Sequence, residues 1–155
     1  MLDIIKTENR DVYKKVEKLL SLRIGEKVEI LKTESGKPYI NYPLFFSISH
    51  CEDRAYIAIC DKPVGIDFEI IQGRNFSSTL NRFTKREREE ISNSEDKFLI
   101  NWTVKEAYIK LYGYTLAKYL KKLEYVGRKL YLKGVQQNVT IDTKIIGDEI
   151  ITVCT

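Results

Sequence analysis

Apolar positions along the chain follow a helical spacing first and an alternating one afterwards. Val12, Val16, Leu19 and Leu20 share one face of a helix that Asn9 or Asp11 can cap. That helix runs to about Leu22, and Gly25 marks its end as a left-handed cap. KVEILKT (27–33) alternates as a strand does, and SGKP (35–38) reads as a turn. FFSIS, RAYIAIC and VGIDFEI, broken by HCED and DKP, predict an antiparallel meander. Thr84 stands three residues before Glu87, a capping box that opens a helix to about Ile91. A longer helix covers about 95–112 and stops at Gly113, and LEYVGRKLYL, VTIDTKII and EIITVCT return to strand patterning. Helix followed by strands thus occurs twice, around 9–70 and 84–154. This order predicts a single α+β domain over 1–155, made of two pseudo-repeated halves (about 1–70 and 71–155), each a helix packed on an antiparallel sheet.

Composition narrows the class without naming a function. With 155 residues, 43% of them hydrophobic and 31% charged, the chain can bury a core of ordinary size. Its net charge of +4 favours an acidic partner, whether phosphate, protein or nucleic acid. Cys51, Cys60 and Cys154 are scattered, and His50 is the sole histidine, so neither a disulfide framework nor a zinc site is expected. MLDIIKTENRD has no signal-peptide core, and no apolar run approaches the ~18 residues of a membrane span. A cytoplasmic protein that makes no membrane contact is the expectation.

Two stretches carry candidate chemistry. In a strand, Asp67 and Glu69 of GIDFE project from one face, roughly 7 Å apart along the chain, with Ile66, Phe68 and Ile70 on the other. Two such carboxylates suit a hard cation such as Mg²⁺, with Mn²⁺ as the alternative; they equally describe a solvated strand face. In NWTVKEAYIKLYG, Thr103, Glu106 and Lys110 fall on one helical stripe flanked by apolar residues, which points to a crevice. The same spacing also fits a surface Glu–Lys pair. Lys97, Asn101 and Lys105 form a second polar face that can look to solvent. His50 follows FFSIS, where it can donate to a phosphate or serve only structure, and Lys37 of GKP is a phosphate candidate or a plain turn lysine.

Taken in order, GKP, FSISHC, VGIDFE, RFTKRERE and WTVKEAYIKLYG resemble the 4′-phosphopantetheinyl transferases of the surfactin-synthetase-activating type. The resemblance runs from about Gly36 to Gly113 and more loosely to the closing strand. It implies a transferase that moves 4′-phosphopantetheine from coenzyme A to a serine of an acidic acyl or peptidyl carrier protein, releasing 3′,5′-ADP. Such a role serves fatty-acid or secondary-metabolite synthesis. Carried over by position, Asp67, Glu69 and Glu106 hold Mg²⁺, Glu106 is the candidate general base, directly or through a water, and Lys110 neutralises the leaving oxygens. Lys37, Ser49, His50 and, in support, Lys105 match coenzyme A contacts, while Arg74 and Phe76 match the region that meets the carrier. Trp102 packs the helix in place.

Two features depart from the pattern. Cys51 stands where a serine is usual, and only 35 residues precede Gly36, a short N-terminal region. Arg10, Lys14 and Lys15 are therefore candidates for the coenzyme A contacts that a longer region supplies, with a second subunit as the alternative. Monomer and homo-oligomer both stay open. Two other readings compete with the enzyme: a relative that binds coenzyme A without transfer, and a basic nucleic-acid-binding module built on the lysines and tyrosines of KYLKKLEYVGRKLYLK.

Overall fold

The computed structural model describes residues 1–155. Strand β1 (Leu2–Glu8), helix α1 (Val12–Ile24), the short strands β2 (Leu31–Lys32) and β3 (Pro38–Tyr39), and strands β4 (Phe45–Cys51), β5 (Arg54–Cys60) and β6 (Gly65–Ile70) come first. Helices α2 (Lys85–Ile91), α3 (Glu95–Tyr112) and α4 (Leu116–Tyr119) follow. Strands β7 (Leu123–Val126), β8 (Lys129–Leu132), β9 (Val135–Gln136), β10 (Ile141–Ile146) and β11 (Glu149–Cys154) complete the chain.

Two antiparallel three-stranded sheets, β1-β5-β4 and β10-β11-β6, form the frame of an α+β protein. Alternation along the strands sorts their faces. Ala55, Ile57 and Ile59 of β5 pack with Val12, Val16 and Leu20 of α1. The opposite face of β5, with Tyr56, Ala58 and Cys60, packs on Ile66, Phe68 and Ile70 of β6 and on Ile151 and Val153 of β11. On the far side of that second sheet, Cys154 meets α3 through Val104, Ala107 and Ile109. The layers therefore run helix, sheet, sheet, helix, and β6, which falls in the first of the two expected halves, lies in the sheet of the second. β7-β8-β9 is a separate small sheet that closes the back of α3.

Several elements match the sequence pattern and others do not. The capping box at α2 is formed: Thr84 Oγ1 accepts from the Glu87 N–H at 3.3 Å, and Glu87 Oε2 accepts from the Thr84 N–H at 2.7 Å. α1 and α3 end at Gly25 and Gly113, with φ of 89° and 68°. The expected meander does not form. β6 pairs with β11 rather than with β5, because both edges of β5 are already taken by β1 and β4. β1 itself is an addition; of its inward positions, Asp3, Ile5 and Thr7, only Ile5 is apolar, which weakens the alternation. The strand expected over 27–33 shrinks to Leu31–Lys32. The N–H groups of Val28 and Ile30 donate instead to Ser21 Oγ and Glu17 Oε1 of α1, which removes them from any ladder.

Between the sheets, β4 and β6 meet without a backbone ladder. The Ile66 N–H donates to Ser47 Oγ at 3.1 Å and the Phe68 N–H to Ser49 Oγ at 3.2 Å. Both partners advance by two residues together, so the strands run parallel there. Serine hydroxyls replace carbonyls along this seam, and the candidate site lies at its end.

Candidate active site

α3 approaches β6 closely because of Gly65. A Cβ at that position would fall against the Ala107 carbonyl oxygen and the Leu111 nitrogen. The stripe of Thr103, Glu106 and Lys110 consequently faces the strand that carries Asp67 and Glu69. At its base, Thr103 Oγ1 lies 2.8 Å from Thr152 Oγ1, and Thr152 pairs in register with Asp67. Two turns further along α3, Lys110 Nζ donates to Asp67 Oδ1 at 2.6 Å and to Ser49 Oγ at 3.1 Å. Ser49 Oγ in turn donates to Asp67 Oδ1 at 2.7 Å. The two motifs thus meet face to face.

Charge is crowded here. Burial first, and then the Asp67 carboxylate, pushes Glu106 up to about 8, with Glu69 adding to the rise and Lys110 opposing it. Glu69 is raised as well, by burial and then by Asp67, while Arg74 offsets part of that. Lys110 is the one cation bonded to this carboxylate set, and Asp67 Oδ2 is buried with no hydrogen-bond partner. No three His, Cys, Asp or Glu side chains are drawn tightly enough together to form a metal cage as they stand. The donor set nevertheless fits a hard divalent cation. An orphaned carboxylate oxygen, two raised carboxyl groups and oxygen-only chemistry are what Mg²⁺ relieves.

Two cavities flank the carboxylates. One, of about 240 Å³, is lined by Lys110, Lys37, Ser47, Ile48, Tyr114 and, from α1, Tyr13. The other, of about 200 Å³, is lined by Glu69, Arg74, Phe76, Phe98, Leu99 and Trp102. Arg74 and Phe76 therefore stand beside Glu69, with Phe76 stacked on Phe98 at 4.5 Å between ring centroids. Cys51, in the place of the usual serine, has its sulfur 3.8 Å from Glu69 Oε2, and burial holds its thiol pKa up.

The coenzyme A residues inferred from sequence fare unevenly. Lys37 reaches the first cavity, but its Nζ donates to the Leu111 carbonyl at 2.6 Å and so caps α3. Burial lowers its pKa. His50 is exposed on β4, and strand alternation sends it to the face opposite Ser49. Lys105 is the clear correction. It is fully buried, with Nζ 2.7 and 2.9 Å from the two oxygens of Glu87 and 4.4 Å above the Phe83 ring centroid. It cannot meet a ligand, and Asn101 beside it is buried too, so of the expected solvent face of α3 only Lys97 is exposed and the rest is packed inward. Ser49 is enclosed as well, and all its bonds run inward. Lys14 pairs with Asp11 at 3.3 Å, and Lys15 donates to Thr7 and Glu8, so neither is turned to the cavity. Tyr13 and Ser47, which do line it, went unnoticed in the sequence; the alternating Ser47 and Ser49 on a core strand were the available signal.

Residues 63–129 match the family profile described as the 4′-phosphopantetheinyl transferase superfamily. The chain is 34% identical over 94 residues to the 4′-phosphopantetheinyl transferase gsp of Aneurinibacillus migulanus, covering 57% of this chain and 40% of the relative. It is 33% identical over 111 residues to the 4′-phosphopantetheinyl transferase psf-1 of Bacillus pumilus, covering 64% and 48%. The L-aminoadipate-semialdehyde dehydrogenase-phosphopantetheinyl transferase of Homo sapiens is 34% identical over 110 residues, covering 62% and 35%. The chain is thus similar to the 4′-phosphopantetheinyl transferases gsp and psf-1, and the match spans less than half the length of these relatives. No helix of the protein is long and apolar enough to cross a membrane.

Proposed function

We propose that the protein is a holo-carrier-protein synthase, which transfers 4′-phosphopantetheine from coenzyme A to a serine of an acyl or peptidyl carrier protein. The observation that carries this reading is the orphaned Asp67 Oδ2 among Glu69, Glu106 and Lys110, set between two cavities in a transferase homologue. The cavity at Lys110 and Lys37 suits the anionic donor; the one at Arg74 and Phe76 suits the acidic carrier. Asp67, Glu69 and Glu106 would hold a divalent cation, Mg²⁺ or Mn²⁺, which neutralises pyrophosphate charge when bound.

The carrier serine oxygen attacks the phosphorus on the pantetheine side, and the bond from that phosphorus to the bridging oxygen breaks. Glu106 accepts the serine proton, and 3′,5′-ADP leaves with the bonding electron pair. Lys110 offers its ammonium to the oxygen on which charge grows. Positioning and charge neutralisation carry most of the catalysis, as phosphoryl transfer requires.

Incubation with coenzyme A, Mg²⁺ and a panel of apo carriers tests this by mass spectrometry. One phosphopantetheine arm added to a carrier is the expected result. No mass gain on any acyl or peptidyl carrier removes the reading in favour of a coenzyme A binder. A nucleic-acid module is disfavoured by the packing of Tyr119, the first tyrosine of that stretch: Tyr114 stacks on it at 3.9 Å, and Lys122 covers it. Those ring faces are already spent.

A further inference from the structure

We infer that Ser49 is a positioning residue for the metal ligand Asp67, and not a contact for the anionic donor. A hydroxyl has one proton to give and two lone pairs to share. At Ser49 all three are committed. Its proton goes to Asp67 Oδ1 at 2.7 Å, and its lone pairs accept from Lys110 Nζ at 3.1 Å and from the Phe68 N–H at 3.2 Å. The residue is only 4% exposed, so no phosphate oxygen can reach it without breaking this set.

The bonds divide the Asp67 carboxylate into two unlike oxygens. Oδ1 takes both Ser49 and Lys110, which fixes the plane of the carboxylate against the end of the β4–β6 seam. Oδ2 takes nothing and is left as a single presented acceptor. A partner that pins one oxygen of a ligating carboxylate raises affinity by removing the rotations in which the other oxygen points elsewhere. Ser47, two residues earlier, makes the equivalent bond to the Ile66 N–H but touches no carboxylate. It serves as the internal control for loss of the seam alone.

The inference rests on the transferase reading only for the identity of the cation site, and its test needs no transfer. Mn²⁺ binding to the protein is followed by electron paramagnetic resonance, and adenosine 3′,5′-bisphosphate binding by calorimetry without divalent cation. Ser49→Ala is expected to weaken Mn²⁺ binding roughly ten- to a hundred-fold, to leave the nucleotide affinity unchanged, and to be rescued by Ser49→Thr. Ser47→Ala, which removes the neighbouring seam bond but touches no carboxylate, is expected to leave the Mn²⁺ affinity unchanged. Should Ser49→Ala fail to fold, the near-isosteric Ser49→Cys carries the same comparison. Loss of nucleotide affinity with Mn²⁺ binding intact would make Ser49 a phosphate ligand and overturn the inference. So would a Ser47→Ala protein that loses Mn²⁺ as Ser49→Ala does. Wild-type protein that binds no Mn²⁺ overturns the cation site itself, and the carrier mass assay then decides the transferase reading separately.

Discussion

Helix α3 carries two lysine–carboxylate pairs little more than one turn apart, and they differ in completeness. Lys105 and Glu87 are sealed, with both side chains at 0% exposure. Glu87 Oε1 also accepts from the Tyr125 N–H at 2.8 Å and Oε2 from the Thr84 N–H at 2.7 Å, so neither oxygen is left over. In the pair of Lys110 and Asp67 the lysine side chain is 29% exposed and one carboxylate oxygen is unsatisfied. A saturated buried pair holds elements together; an unsaturated one beside a cavity is ready for a ligand. The first joins α2, β7 and α3, and the second joins α3 to β6 at the candidate site.

Exchanging the two lysines for methionine should separate these roles most sharply. Lys105→Met leaves Glu87 buried without its cation, a loss of about 3–5 kcal/mol in urea unfolding, and Mg²⁺ should not repair it. Lys110→Met should lower carrier modification by about 10²–10³-fold. Its own cost in stability should shrink on adding Mg²⁺, because Asp67, Glu69 and Glu106 can take another cation. If Mg²⁺ rescues both variants or neither, the distinction between the pairs is wrong. Lys105→Met/Glu87→Gln should regain much of the stability lost by the single change, since no lone charge stays buried.

A smaller effect is expected from Gly65→Ala, which loads the contact that sets α3 against β6. The added methyl meets backbone at Ala107 and Leu111 rather than a flexible side chain, so the helix itself must shift. The cost should be about 1–3 kcal/mol, read from the urea midpoint. Mn²⁺ affinity should fall in parallel, because Glu106 moves away from Asp67 with the helix. Stability lost with Mn²⁺ affinity intact would show that the carboxylates do not depend on this approach.

Local spacing carried the sequence reading as far as local spacing goes. The stripe of Thr103, Glu106 and Lys110, the Thr84–Glu87 box and the stop at Gly113 all follow from residues within a few turns of each other. Lys105 went astray because its partner is 18 residues away on another helix, and periodicity on α3 cannot tell a polar residue facing solvent from one facing a buried acid. The transfer of β6 to the second sheet was hidden for the same reason, as its partner β11 lies at the other end of the chain. The GIDFE and KEAYIK motifs pair Asp67 with Glu106 without any geometry. The family motifs also draw Ser49 and Lys105 into a ligand list that hydrogen bonding and burial do not support.

The mildest test uses pH. Glu106 has a folded pKa of about 8 against an ordinary 4.5, so it resists ionisation in the folded protein more than in the unfolded one. Below about 4.5 it is protonated in both states, and its contribution to stability is fully present. As pH rises towards 8, the unfolded state releases the proton and the folded state does not, so that contribution is lost. Without divalent cation, the melting temperature of the wild type relative to Glu106→Gln should therefore fall across this window, by on the order of several degrees. With Mg²⁺ the trend should reverse, because a cation favours the ionised carboxylate and binds more tightly as the proton leaves. Lys105 and Glu87, sealed on the other face of the helix, are common to both proteins and cancel in the difference. A flat difference between pH 5 and 8 would mean that the crowding of Asp67, Glu69 and Glu106 is already relieved, and the unsaturated pair would then have no more capacity for a cation than the saturated one.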